Sequence, residues 1–336
     1  MEQLKIGITH GYTNGVSYEV ILKAFENPTM LELCTPIVYG SPKLATYHRK
    51  AMELGTNFST IQHAGEALKE KLNIIECFKE EVKVDLGQQT EEADKAQACS
   101  REAGLHDARK GLISALVGAP GDKLEPSAEL TVLINEFMKV AILTDQMPLN
   151  EVTSYVTEEN LTKKLRMFDR CLRRDFGLTR PRIAVLALNP EPGKEEKDVL
   201  EPLIKKIADE QICALGPFTA EQFFASQAYT YYDGILAMYY DQGAAPLHLS
   251  GSEYCIALQT GENIIKTVPL QDASLNIAGR GEAPTASFCN AIYTAIDVYR
   301  NRVHFDEACK DPLPKLFHDK REDGRREESK RPPKPE

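Results

Sequence analysis

Short apolar runs alternate with longer amphipathic ones along the first part of the chain. Leu4–Thr9 precedes the periodic stretch Tyr18–Phe25, and Pro36–Tyr39 precedes Lys43–Leu54. Strand-like runs followed by three- and four-residue periodicity predict strands joined by crossover helices, the pattern of an α/β sheet. The clearest helix runs from about Glu158 to Phe176. Thr157 stands at its cap, Glu158 and Glu159 complement the positive end of the helix dipole, Arg173 and Arg174 complement the negative end, and Gly177 stops it. Leu161, Leu165, Phe168, Leu172 and Phe176 form the apolar stripe, so Lys163, Lys164, Arg166 and Arg170 are expected to stay mostly solvated.

Other apolar runs break into polar loops. Arg182–Leu188 breaks at Asn189-Pro190-Glu191-Pro192-Gly193, Lys139–Thr144 at Asp145-Gln146-Met147-Pro148, and Ala115–Val117 at the segment Gly118–Lys123. The run Leu236-Ala237-Met238 gives way to Tyr239-Tyr240-Asp241-Gln242-Gly243. Ligands of open α/β sheets sit outside the carboxyl ends of strands, and these loops are expected to meet along one sheet edge. Thr90 to about Gly104 predicts an exposed helix, a further helix is expected to begin near Ser127, and Pro284–Asn301 predicts a final core helix. Residues 311–336 are charged and Pro-rich, which reads as a disordered tail after a folded unit at 1–310.

The 336 residues exceed the length at which one core usually divides, so two lobes are expected. A net charge of -10 argues against nucleic acid as a partner, because phosphate backbones select basic surfaces. Eight scattered cysteines without a CxxC pair read as reduced thiols. No run reaches the length of about 18 apolar residues that a membrane helix needs, so a cytoplasmic protein without a membrane partner is expected.

The order of the motifs resembles the PdxA family, the NAD-dependent 4-hydroxythreonine-4-phosphate dehydrogenases of pyridoxal phosphate (vitamin B6) synthesis. The likeness is carried by Gly7, Gly11, Gly15 and Glu19, by Ala119-Pro120 with Lys123, and by Asp175-Phe176-Gly177 followed by Arg180-Pro181-Arg182. Leu188-Asn189-Pro190, Gly216-Pro217, Ala237-Met238-Tyr239, Asp241-Gln242-Gly243 and Ile277-Ala278-Gly279 continue it over roughly residues 4 to 302. The resemblance implies an α/β, two-lobed fold similar to isocitrate and isopropylmalate dehydrogenases, with a central cleft shared across a homodimer. It also implies NAD in that cleft, a divalent metal that polarises the reacting oxygen, and a small phosphorylated hydroxy acid as substrate.

At the positions of the family's three metal-binding histidines the chain carries Gln146, Glu191 and Tyr240. An amide, a carboxylate and a phenol are a poor replacement for imidazoles. The family's substrate-contacting His-Thr segment falls where this chain is shortened after Lys123. Family substrate positions correspond to His248, Ala257 and Lys266, and a cofactor loop reads Gln271-Asp272-Ala273. Asp233 and Asp241 are the retained carboxylates with a candidate role as base; alternatively Asp241 shapes a turn and Asp233 pairs locally. Two functions follow as expectations: a dehydrogenase of the family type, or a ligand-binding or regulatory paralogue, a pseudoenzyme that keeps fold and dimer. The metal-dependent activity is expected to be absent or very weak.

Overall fold

A computed structural model describes residues 4–78, 82–126, 129–260 and 264–311. From residue 312 onward the expected tail lies outside the described residues. Strands β1 (Lys5–Thr9), β2 (Thr35–Gly40), β3 (Phe58–Ile61), β4 (Leu72–Glu76), β5 (Ala115–Val117) and β6 (Leu130–Ile134) come first in the chain. They are followed by β7 (Lys139–Ile142), β8 (Arg182–Leu186), β9 (Cys213–Phe218), β10 (Gly234–Ala237), β11 (Ile256–Thr260) and β12 (Ile265–Pro269). All join one mixed sheet in the order β3-β4-β2-β1-β5-β12-β11-β6-β7-β10-β8-β9.

Pairing directions divide this sheet into two parallel blocks that run opposite ways. β3, β4, β2, β1, β5 and β12 share one direction, and β7, β10, β8 and β9 the other, with β11 and β6 making the antiparallel seam between them. The seam strands are buried along their whole length, as expected for apolar runs covered on both faces. β6 corrects the helix expected from Ser127 onward. Ser127 itself is outside the described residues, but Leu130-Thr131-Val132-Leu133-Ile134 is short, rich in β-branched residues and pairs with β11 and β7.

Helices α1 (Ser17–Ala24), α2 (Pro28–Leu33), α3 (Pro42–Ala51), α4 (Glu91–Arg109) and α5 (Leu149–Tyr155) precede the long α6 (Glu158–Arg174). α7 (Glu201–Ile207), α8 (Ala220–Ala225), α9 (Tyr240–Ser250) and α10 (Ala286–Cys309) follow it. Thr157 Oγ1 accepts from Asn160 N at 3.3 Å, so the expected cap of α6 forms. Leu161, Leu165, Phe168 and Leu172 are fully enclosed and join the main core with Phe288, Ile292 and Ile296 of α10. Lys164 departs from its expectation. It is buried, and its Nζ donates to Glu129 O at 3.2 Å and pairs with Asp145 Oδ2 at 3.7 Å. α4 is likewise only half exposed, because Ala93, Ala96, Ser100 and Gly104 form a small-residue face that lets it pack closely on β1 and β2. All eight cysteines are free thiols, and no helix among the described residues is long and apolar enough to cross a membrane.

Candidate functional site

Sheet direction decides where the polar loops go. β7, β10 and β8 are parallel neighbours, so the loops carrying Gln146, Tyr240 and Glu191 leave one edge. β5 belongs to the opposing block, so Gly118–Lys123 leaves the other edge, and the four loops do not line a single edge as expected. The chain after β5 instead crosses the sheet face. Glu125 N donates to Gln259 Oε1 at 2.7 Å, and Gln259 Nε2 donates back to Glu125 O at 3.1 Å. This crossing brings Gly121, Asp122, Lys123 and Leu124 to Gln146 and Tyr240. With the segment Leu270–Ala273 they line a groove of about 760 Å³.

The junction of β10 and α9 is built by close approach. Tyr239 has extended backbone and Tyr240 opens the helix. Gln242, buried, accepts from Met238 N at 2.7 Å and donates to Ala187 O at 2.7 Å, tying the end of β10 to the end of β8. A Cβ on Gly243 would stand 2.7 Å from Val140 Cγ1 and 2.8 Å from Ile142 Cδ1. The Asp-Gln-Gly motif therefore serves packing at two of its three positions, while Asp241 stays exposed in the first turn of α9. Asp233 stands before β10, at the far end of the strand from Tyr240. There it accepts from Arg182 N at 2.7 Å and lies 3.8 Å from Arg182 Nε. The two candidate carboxylates are thus separated by the length of a strand.

Gln146 and Tyr240 do come together. Asp145, immediately before Gln146, has a left-handed backbone with φ 49°, a conformation that Asp tolerates better than most residues, and its carboxylate is held near the Lys164 ammonium. The Tyr240 phenol lies beside the Gln146 side chain in the groove lining. Burial raises the phenol's pKa and the Asp241 carboxylate adds to the rise, while the Gln146 contact opposes it, so the group stays neutral near pH 7. Glu191 is exposed and does not line the groove. Within one chain the groove therefore offers a neutral phenol and an amide without the carboxylate, a poor donor set for a divalent ion. No group of three or more His, Cys, Asp or Glu residues among the described residues is arranged to hold one.

The expected substrate and cofactor residues divide in the same way. Lys266 is buried under the groove, where its Nζ donates to Lys123 O at 3.1 Å and Glu125 Oε1 at 3.0 Å, with Asp122 Oδ2 at 3.6 Å. Arg101 Nε also reaches Glu125 Oε1 at 3.3 Å, and Thr9 Oγ1 donates to Asp122 Oδ2 at 2.7 Å. Internal carboxylates thus neutralise the Lys266 ammonium. His248 sits in the last turn of α9, outside the groove lining. Gln271 and Asp272 do line the groove. Asp272 Oδ1 accepts from Ser274 N and Oγ at 2.8 and 2.7 Å, and Gln271 Oε1 is buried without a partner. Their loop is pinned by Ala273 O, which accepts from Val16 N at 3.0 Å; a Cβ on Gly15 would lie 2.3 Å from that oxygen.

Sequence reasoning overlooked Glu125, Arg101 and Gln97, whose Nε2 donates to Gly121 O at 2.7 Å. Glu125 meets a lysine 141 residues away, and no local pattern announces such a pair. The groove lining carries the carboxylates Asp94, Asp122 and Asp272 against the single exposed ammonium of Lys123. Among the described residues it is a polar cleft without imidazole.

An α/β sheet with a polar cleft where loops from opposing blocks converge defines a ligand-binding or enzymatic protein of the cleft-bearing α/β class. The chain belongs to the PdxA family. The family model described as pyridoxal phosphate biosynthetic protein PdxA matches residues 121–295. A 4-hydroxythreonine-4-phosphate dehydrogenase of Bacteroides thetaiotaomicron is 41% identical, with 96% of each chain covered. One from a Sulfurihydrogenibium species is 27% identical over 89% of this chain and 99% of its own. The fold matches the crystal structure of 4-hydroxythreonine-4-phosphate dehydrogenase from Klebsiella pneumoniae with a TM-score of 0.72 at 23% identity, covering 89% of this chain and 98% of that one.

Proposed function

We propose that this chain is a ligand-binding member of the PdxA family in which metal-assisted oxidation of an alcohol is lost or very weak. One observation carries the reading: among its described lining residues the groove sets the neutral Tyr240 phenol beside the Gln146 amide, with no imidazole. Metal catalysis needs deprotonated or neutral-imidazole donors with an open coordination position. The internal neutralisation of Lys266 supports the same reading, because it withdraws a cation from any phosphorylated or carboxylate ligand. The ligand is a small polar molecule held against Lys123, Gln146, Tyr240 and Gln271.

The full-length match to a protein named 4-hydroxythreonine-4-phosphate dehydrogenase favours a second reading. In it the groove binds NAD and a small phosphorylated hydroxy acid, Lys123 meets the phosphate, and Asp241, exposed in the first turn of α9, is the candidate base. Both readings accommodate a homodimer. Phe137, in the turn between β6 and β7, is exposed beside Gly251, and Leu249 at the end of α9 is 89% exposed, an apolar surface suited to a second copy.

Calorimetric titration with NAD, zinc and magnesium, followed by a turnover assay reading NADH absorbance with 4-hydroxythreonine 4-phosphate, separates the two. The first reading expects no stoichiometric metal binding and no turnover above the uncatalysed rate. Binding of NAD and a metal with turnover would sink it and establish the dehydrogenase.

A further inference from the structure

Outside the groove, α6 turns a basic stripe toward a second concavity. Lys163, Arg166, Arg170 and Arg174 follow one another at three- and four-residue spacing, so they share a face of the helix. Opposite them stands Arg302 of α10, and Leu130, Met167 and Cys171 supply apolar walls to a cavity of about 360 Å³. This volume matches a small metabolite.

The cations in this cavity are not equally engaged. Arg166 Nε and Nη2 both donate to the Glu210 carboxylate at 2.6 Å, and Arg174 makes the same two-pronged contact with Asp306 at 3.0 and 2.6 Å. Arg302, buried, gives Nε and Nη2 to the two Asp175 oxygens at 2.7 and 2.9 Å, and Nη2 also to Thr260 Oγ1. Its Nη1 has no protein partner among the described residues. Lys163 and Arg170 likewise carry no ion pair among the described residues. The carboxylates lining the cavity are Asp175, already spent on Arg302, and Glu129 at the rim. An excess of positive charge therefore collects in a concavity of a chain whose net charge is -10. That overall charge repels an extended polyanion and leaves a small anion as the fitting occupant.

We propose that this cavity is a second binding site, separate from the groove, for the phosphate of a small phosphorylated metabolite. Lys163 and Arg170 meet the phosphate oxygens from α6, and Arg302 Nη1 meets them from α10. A guanidinium already oriented by Asp175 loses little freedom on binding, which favours a planar contact to phosphate. The organic portion of the ligand rests on Met167 and Leu130. The proposal does not depend on whether the groove catalyses anything.

The test is calorimetric titration of the full chain with glycerol 3-phosphate and with inorganic phosphate at low ionic strength. The expected result is one equivalent of the ester bound, weakened at least tenfold in Lys163→Glu/Arg170→Glu and changed less than twofold in the groove variant Lys123→Glu. The charge-preserving pair Lys163→Arg/Arg170→Lys retains binding, and an unchanged thermal midpoint shows that the charge reversal leaves the fold intact. Absence of binding to the wild-type chain overturns the proposal. So does loss of binding in Lys123→Glu with retention in the double reversal. Inorganic phosphate binding as tightly as the ester would overturn the assignment to an organic phosphate.

Discussion

Two buried imidazoles show how much one residue's surroundings decide. His10 and His48 stack on either side of the Tyr18 ring at 5.5 and 5.2 Å between centroids, and burial pushes both pKa values down to about 4. His48 Nε2 contacts Thr13 O and His10 Nε2 contacts Ala96 O, each at 3.1 Å, while Glu19 is buried nearby. An unfolded chain takes up these protons below a pH of about 6.5, whereas the folded chain refuses them until about 4. Their contribution is therefore complete above the upper value and is lost as pH falls toward the lower one. Urea unfolding at pH 7 and pH 4.5 is expected to show a loss of about 2–3 kcal/mol for each imidazole, and His48→Gln to flatten that dependence by about half. An unchanged pH slope in the variant would refute the assignment. Nothing in the sequence marked either histidine as buried. Replacement at Gln146, Glu191 and Tyr240 was visible in the sequence, but not that two of them would line one groove while the third is exposed outside its lining in this chain.

At the scale of elements, α6 was the most legible part of the chain, because its cap, its apolar stripe and its charged termini all pointed the same way. Its attachment to α10 was not legible. Asp175, the residue that ends α6, receives two bonds from Arg302 of α10 and offers its backbone oxygen to Asn301 Nδ2 at 2.8 Å. Asp175→Asn leaves a buried guanidinium without its counter-charge, and a loss of about 3–5 kcal/mol is expected in the urea unfolding free energy. A loss below about 1 kcal/mol would mean that water replaces the carboxylate. β6 and β11 were missed for a related reason: short buried runs carry no alternation, and their strand character depends on partners far away in sequence. The loops carrying Gln146 and Tyr240 were placed correctly at strand ends. The position of Gly118–Lys123 was not, because local pattern says nothing about the direction in which a strand enters the sheet.

Across the whole molecule, the mixed sheet resolves what the motif order left open. The α/β class and the succession of strands and helices could be read from the sequence, whereas the reversal of direction at the centre could not. That reversal makes the groove, since it obliges the chain after β5 to cross the face of β11 and carry Lys123 to Tyr240. β5 is flanked by β1 on one side and by β12 on the other, so the segment 1–126 contains no complete half of the sheet. Expressed alone, that segment is expected to show no cooperative thermal transition by circular dichroism, and a sharp transition would refute the expectation. The interleaving also bears on how the molecule is made. A seam assembled from residues 130–134 and 256–260 gives a high contact order, so loop-closure entropy opposes its formation until the last third of the chain has left the ribosome. Until then the newly made β5 and β6 present unpaired, apolar edges, and nascent chains of this protein call for shielding by chaperones late in synthesis.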